Sequence, residues 1–94
     1  MGRWTWDPAK DASNLVDHGL SLADGIPVLD GDPLAASRAD EYRDGNRYQT
    51  VGSAGGVAVL FIVHTEPGED APGRIISVRR ATRHERKAYE EGSF

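Results

Sequence analysis

RIISVRRATRHERK, residues 74–87, is the stretch on which the fold turns. Its first half is β-branched and alternating; its second half carries a T-x-x-E start at Thr82 and Glu85, the pattern of a capping box. A strand over Arg74–Arg80 therefore feeds a helix that begins after Thr82 and runs on through Lys87, Ala88 and Glu90. The same fourteen residues hold six of the eleven Lys and Arg side chains and one acid, +5 in a chain of −4 overall, so the remainder stands at −9. A solvated last helix accounts for that charge in the ordinary way. A surface shaped for an anion accounts for it more sharply, because arginine grips phosphate in a planar, two-pronged fashion.

Working back from this stretch, the loop 65–73 contains two prolines and two glycines. Before it, Val57–His64 is apolar through seven residues and reads as a central strand with both faces covered. SAGG at 53–56 reads as a hairpin turn, Arg47–Gly52 as the strand before it, and Asp44-Gly45 as a turn pair. Leu34–Arg38 is a further strand candidate. Near the N-terminus, Asp7 can cap a helix that starts with Pro8 and stops at Gly19. On a helical wheel Ala9, Ala12, Leu15 and Val16 form the apolar face, with Lys10, Asn14 and His18 as a polar ridge opposite. Ser21 and Asp24 mark a second start, and Gly25 and Pro27 limit this second helix to one or two turns ending before residue 30. Arg3–Trp6 is short and β-prone. Strand, helix, short helix, three or four strands and helix make an α+β fold: N-terminal helices on an antiparallel meander, closed by a C-terminal helix.

At 94 residues the chain is one domain. It has no cysteine, which removes disulfides and thiolate metal sites and suits a reducing cytosol. MGRWTWDPAK has no apolar signal region, and the longest apolar run falls far short of the ~20 residues of a membrane helix, so a cytoplasmic protein with no membrane association is expected. Asp30 and Asp32 lack the other ligands of a calcium loop, and no zinc pattern, P-loop, dinucleotide fingerprint or nucleophile elbow appears. No metal or cofactor is expected.

What remains is chemistry run by Lys, Arg and His on an anion. RNA cleavage fits: the 2′-hydroxyl attacks phosphorus, a base takes its proton, cations hold the phosphorane charge and an acid protonates the leaving 5′-oxygen. Lys10 and His18 on one helix side could move protons, though the same ridge is also the wet face of any amphipathic helix. His64 at a strand end, and Trp4 and Trp6 on a short strand, each have a structural reading beside a functional one: a carbonyl-bound histidine, and a cover for the core edge. In a regular strand Arg74 and Arg80 share one face and Arg79 the other.

WDPAKDASNLVDHG resembles the D-x-x-K-x-x-x-N-x-x-K-H-G opening of BrnT-family toxins. DP at 32–33, RYQTVG at 47–52, a strand ending VHTE and RIISVRRATRHERKAYE come in that family's order, and the resemblance spans residues 4 to about 91. It implies a RelE-like two-layer domain and a ribonuclease toxin of a bacterial type II toxin–antitoxin module, cutting RNA without metal and stopping translation. Its implied partners are RNA and a BrnA-like antitoxin with a DNA-binding domain in an autoregulatory complex, which also allows a homodimer within that complex. Carried over to this chain, Lys10, His18, Arg47, Arg74 and Arg79 are the implied catalytic set, with Arg47, Arg74 and Arg79 on phosphate charge and Lys10 and His18 on proton transfer. His64, Arg80, Arg83, Arg86 and Lys87 are the implied RNA-facing set. Asn14, Ser77 and Glu85 are further motif positions. The chain departs from the family pattern at Asp17 and Glu41, where bases are usual, and at Asn46, where an acid is usual. Those changes support a second reading, a catalytically weakened relative that keeps the antitoxin interface.

Overall fold

The chain turns helical at Pro8, as its capping residues dictate. Asp7 accepts the Ala9 amide at 2.9 Å, and α1 (Pro8–His18) closes on Gly19 at φ 71°. The computed structural model describes residues 3–40, 46–56 and 58–94. Glu41, the Asp44-Gly45 pair and Val57 lie outside the described residues. β1 (Trp4–Thr5) precedes α1. After it come a 3₁₀ turn (Leu22–Gly25), α2 (Ile26–Gly31), β2 (Ala36–Ala39), β3 (Tyr48–Ala54), β4 (Ala58–His64), β5 (Gly73–Arg80) and α3 (Arg83–Glu91). α3 starts as the capping box requires: Thr82 accepts the Glu85 amide and Glu85 accepts the Thr82 amide. Pro27 falls in the first turn of α2, where its missing N–H costs nothing, so α2 runs past residue 30 to Gly31. The β3–β4 hairpin turns on Gly55 and Gly56, both at positive φ.

The strands form one five-stranded sheet in the order β1-β5-β4-β3-β2. β2 to β5 are antiparallel as expected, but β1 pairs parallel with β5, Trp4 opposite Gly73 and Thr5 opposite Arg74, so the sheet is mixed rather than antiparallel throughout. The pairing joins residues about seventy positions apart and has no local signal. Gly73 permits it, because a Cβ there would stand 2.5 Å from the Trp4 ring.

One face of the sheet holds the core. Leu60 and Ile62 of β4 and Ile75 and Val78 of β5 pack with Leu22 and Val28 from the helical segments, and Trp4, Trp6 and Leu20 close the margin. Each fully buried aliphatic side chain contributes roughly 1.5–3 kcal/mol. α3 lies on the reverse face, where the C-terminal Phe94 meets Phe61 edge-on. Tyr89 of α3 donates to Asp32 Oδ2 at 2.7 Å, tying the last helix to the end of α2.

The wheel of α1 is inverted relative to its sequence pattern. Leu15 and Val16 are 56% and 84% exposed, while Asn14 is buried. Its carboxamide donates to Val78 O and Leu20 O, both at 2.8 Å, and accepts the Val78 amide at 3.1 Å. Past Arg74 the described β1 no longer flanks β5, and at Val78 the Asn14 carboxamide supplies the rung that a neighbouring strand would have supplied.

β5 contains one extra residue. Ser77 pairs with Val63 but Ile75 pairs with His64, so Ile76 is unmatched and forms a bulge. Gly73, Ile75 and Val78 therefore share the core side. Arg74, Ser77 and Arg79 share the reverse side, and Arg80, opposite Leu60, turns back toward the core side.

Candidate nucleic-acid interface

On the reverse face, away from α3, the sheet carries an open cleft of about 630 Å³ lined by Thr5, Asn46, Arg47, Thr65, Arg74 and Ile76. Each strand contributes by register. Thr5 sits beside Arg74 on parallel strands, Arg47 precedes Tyr48 at the head of β3, and Thr65 follows His64 at the end of β4. The Arg74 backbone is held twice by Thr65: the Thr65 amide donates to Arg74 O at 2.9 Å, and the Arg74 amide donates to Thr65 Oγ1 at 2.8 Å. Asn46 and Glu66 exchange long hydrogen bonds of 3.3 and 3.4 Å, which fix the rim. Arg47 Nε stands 4.0 Å from the Asp40 carboxylate, an ion pair at the outer limit of contact. Two guanidiniums, two threonines and an amide thus face one concavity, and the described lining holds no carboxylate.

Arg79 lies on the same face because of the bulge, but it is engaged. It donates to both carboxylate oxygens of Glu85, at 2.8 and 3.0 Å, and its guanidinium carbon lies over the Phe61 ring, 4.0 Å from the centroid. Burial pushes the Glu85 carboxyl up. The Arg79 hydrogen bonds, the Thr82 amide and the Arg79 charge pull it further down, leaving it below the usual carboxylate range. Arg79, expected on phosphate charge, is thus paired with Glu85 and does not line the cleft.

The other expected residues are dispersed. Lys10 and His18 are exposed on α1 and neither lines the cleft. Their grouping with Asn14 as one wet ridge fails, because Asn14 is consumed by the sheet edge. Arg80 faces away from Arg79. Arg83, Arg86 and Lys87 are exposed on α3, and Lys87 borders a separate depression of about 510 Å³ shared with Arg38, Glu85 and Glu91, which mixes both signs of charge. His64 is 1% exposed, so it has no surface to offer RNA; its ring meets Trp4 edge-on at 5.4 Å. Trp4 donates to Asp30 Oδ1 at 2.9 Å and packs on the core, as does Trp6, so neither presents a free stacking platform. Among the described residues no three His, Asp or Glu side chains gather as a metal site, and no helix is long and apolar enough to cross a membrane.

Residues 6–85 match the family model described as the BrnT ribonuclease toxin of type II toxin–antitoxin systems. The chain belongs to the BrnT family. A solved structure with the same fold is the 1.1 Å crystal structure of the Brucella abortus ribonuclease toxin BrnT. It is 23% identical, has a TM-score of 0.65, and aligns over 83% of this chain and 94% of that one. No curated protein matches the chain.

Several BrnT-like motif positions acquire structural roles. Asp32 of the DP pair accepts the Ser53 and Leu34 amides at 2.7 and 2.9 Å and the Tyr89 hydroxyl. Burial raises its carboxyl, but these bonds outweigh it and hold it below the usual range. The E-x-x-x-Y run is therefore two anchors on α3, Glu85 to Arg79 and Tyr89 to Asp32. Of the departures from the BrnT pattern, Asp17 is exposed on α1 and Asn46 lies on the cleft rim. Thr65 carries no signal in the sequence, because a threonine whose hydroxyl accepts a main-chain N–H looks like any other β residue.

Proposed function

We propose that this BrnT-family chain is a metal-independent endoribonuclease of RelE-like layout, acting in the cytoplasm to inhibit translation and neutralised by a BrnA-like antitoxin that carries a DNA-binding domain. The observation that carries this reading is the convergence of Arg47 and Arg74 on one open cleft free of described carboxylates. Two guanidiniums lining one cleft can grip the scissile phosphate and hold the charge that builds on the phosphorane. Ile76 and the threonines shape the floor, and Asn46 offers a neutral hydrogen-bonding group at the rim. Lys10 and His18 do not line this cleft. Arg83, Arg86 and Lys87 attract RNA at longer range through the field of α3.

Purified protein incubated with an mRNA-length transcript in EDTA tests the proposal. Cleavage by the parent, reduced about 10²- to 10³-fold in Arg74→Ala or Arg47→Ala, is expected from the loss of one transition-state donor. Undiminished cleavage by both variants refutes the site. A second reading, a weakened relative that retains only antitoxin binding, is favoured by the acids at positions 17 and 41, where the family pattern has bases, and by the net charge of −4. Folded parent protein that leaves RNA intact and bacterial growth unchanged on induction, yet binds its antitoxin, selects that reading.

A further inference from the structure

We propose that His64 is a positioning residue for this cleft: held as its Nδ1–H tautomer, the buried ring fixes the Thr65 backbone that seats Arg74. The inference rests on the reading of the Arg47/Arg74 cleft as the RNA site.

The hydrogen-bond directions are set by which atoms can donate. His64 Nδ1 lies 3.0 Å from Thr65 O, a carbonyl that can only accept, so Nδ1 carries the proton. In the neutral ring Nε2 is then an acceptor, and the Thr50 hydroxyl at 2.6 Å must donate to it. With its proton committed, Thr50 Oγ1 accepts from Ser37 Oγ, also at 2.6 Å. A one-way chain therefore crosses β2, β3 and β4 and ends on Thr65. Thr65 in turn carries both bonds to Arg74.

The bulge explains why the sheet needs this chain. The β4–β5 register shifts between Val63 and His64, beside the step from Thr65 to Arg74. A regular ladder fixes neighbouring strands by itself; a bulge interrupts it and leaves local geometry to side chains. The imidazole is well placed to do so. Its Trp4 and Tyr48 neighbours stand with ring centroids 5.4 and 6.3 Å away, and the Glu66 carboxylate is 3.8 Å from Nδ1. A cavity of about 240 Å³ beside the ring is bordered by Arg3 and Asp32.

Two measurements test this, one without any variant. In the parent protein at pH 8, a long-range ¹H–¹⁵N correlation of the His64 ring is expected to show a protonated Nδ1 and a bare Nε2; the opposite tautomer overturns the proposal. The second measures affinity for a 2′-O-methylated, uncleavable oligoribonucleotide by fluorescence anisotropy, with folding of each variant checked by circular dichroism and melting. His64→Asn keeps a donor where Nδ1 was and is expected to bind within about threefold of the parent. His64→Gln keeps an acceptor where Nε2 was, loses the donor to Thr65, and is expected to bind about tenfold more weakly. Equal affinities for the two overturn the proposal. If either histidine variant fails to fold, Thr50→Val, which removes the hydroxyl at nearly constant volume, is expected to weaken binding at least about threefold, and no change overturns the relay. Arg74→Ala separates the two readings. If it binds as the parent does, the cleft is not the RNA site; if it binds weakly while His64→Gln binds normally, the cleft stands and the positioning role falls.

Discussion

Asn14→Ala probes the joint between α1 and the sheet edge. The substitution removes three hydrogen bonds and strands the N–H and C=O of Val78, a residue with no accessible surface. A buried peptide group left unpaired costs about 1–3 kcal/mol, so the two together cost roughly 2–6 kcal/mol. Leu20 O is only partly buried and finds water. Water entering at the sheet edge relieves part of the penalty, which places the expected loss near the lower end, about 2–3 kcal/mol. Against a total of about 5–15 kcal/mol for a domain, that is a large fraction. At this chain length it corresponds to a melting point lowered by roughly 10–20 °C, from about 4–8 °C per kcal/mol. Urea unfolding followed by tryptophan fluorescence gives the free energy directly. Asn14→Asp sharpens the test. A carboxylate there can accept from Val78 but faces two carbonyl oxygens with no proton to give, so its folded pKa is raised above the unfolded value of about 3.9. The protonated form is favoured in the fold. Relative to the parent, the variant is therefore least destabilised below about pH 4 and loses stability as pH rises through the folded value. A loss under about 1 kcal/mol in the alanine variant, or a flat pH dependence in the aspartate variant relative to the parent, would refute the edge-rung reasoning.

Three further outcomes are expected from the packing and charge of the fold. Gly73→Ala places a methyl 2.5 Å from the Trp4 ring and 2.9 Å from Thr65 O, and is expected to cost about 1–3 kcal/mol or more in urea unfolding. Asp32 and Glu85 are both held below their ordinary values in the fold, so the stability they contribute is present above about pH 4 and lost as pH falls through their folded values; acid titration by circular dichroism should show this onset, and it should weaken in Asp32→Asn. Glu85→Gln keeps a capping-box partner for Thr82 but frees the charge of Arg79, so single-stranded RNA binding should tighten and its log–log salt slope should steepen by roughly 0.7, the increment for one added phosphate contact.

The elements punctuated by local chemistry are legible in the sequence. Asp7-Pro8 and Gly19 bound α1, Thr82 and Glu85 open α3, and the apolar run before His64 is the central strand. The features that escape such a reading depend on residues far apart. β1 lies parallel to β5 because Gly73 lets Trp4 approach, a fact about partners some seventy residues away. The buried side of α1 is misleading in the sequence because hydrophobicity ranks Leu15 and Val16 above Asn14, whereas a bare strand edge has greater need of an amide than of a hydrocarbon. The cleft is half visible. Arg47 and Arg74 stand at motif positions, yet nothing local reveals that Lys10 and His18 lie elsewhere or that Glu85 occupies Arg79.

The unmatched Ile76 has an evolutionary consequence. Arg74 and Arg79 are five positions apart, an odd separation that a regular strand would send to opposite surfaces; one surplus residue brings them to the same one. What selection must preserve here is a tally as much as a chemistry. Position 76 can drift among apolar residues at little expense. Deleting it would leave the arginines four positions apart, an even separation that a regular strand already keeps on one surface; drawing it into the regular ladder, by contrast, would turn one arginine to the hydrophobic interior while leaving both codons untouched, so in this segment a change of pairing is expected to do more harm than most substitutions.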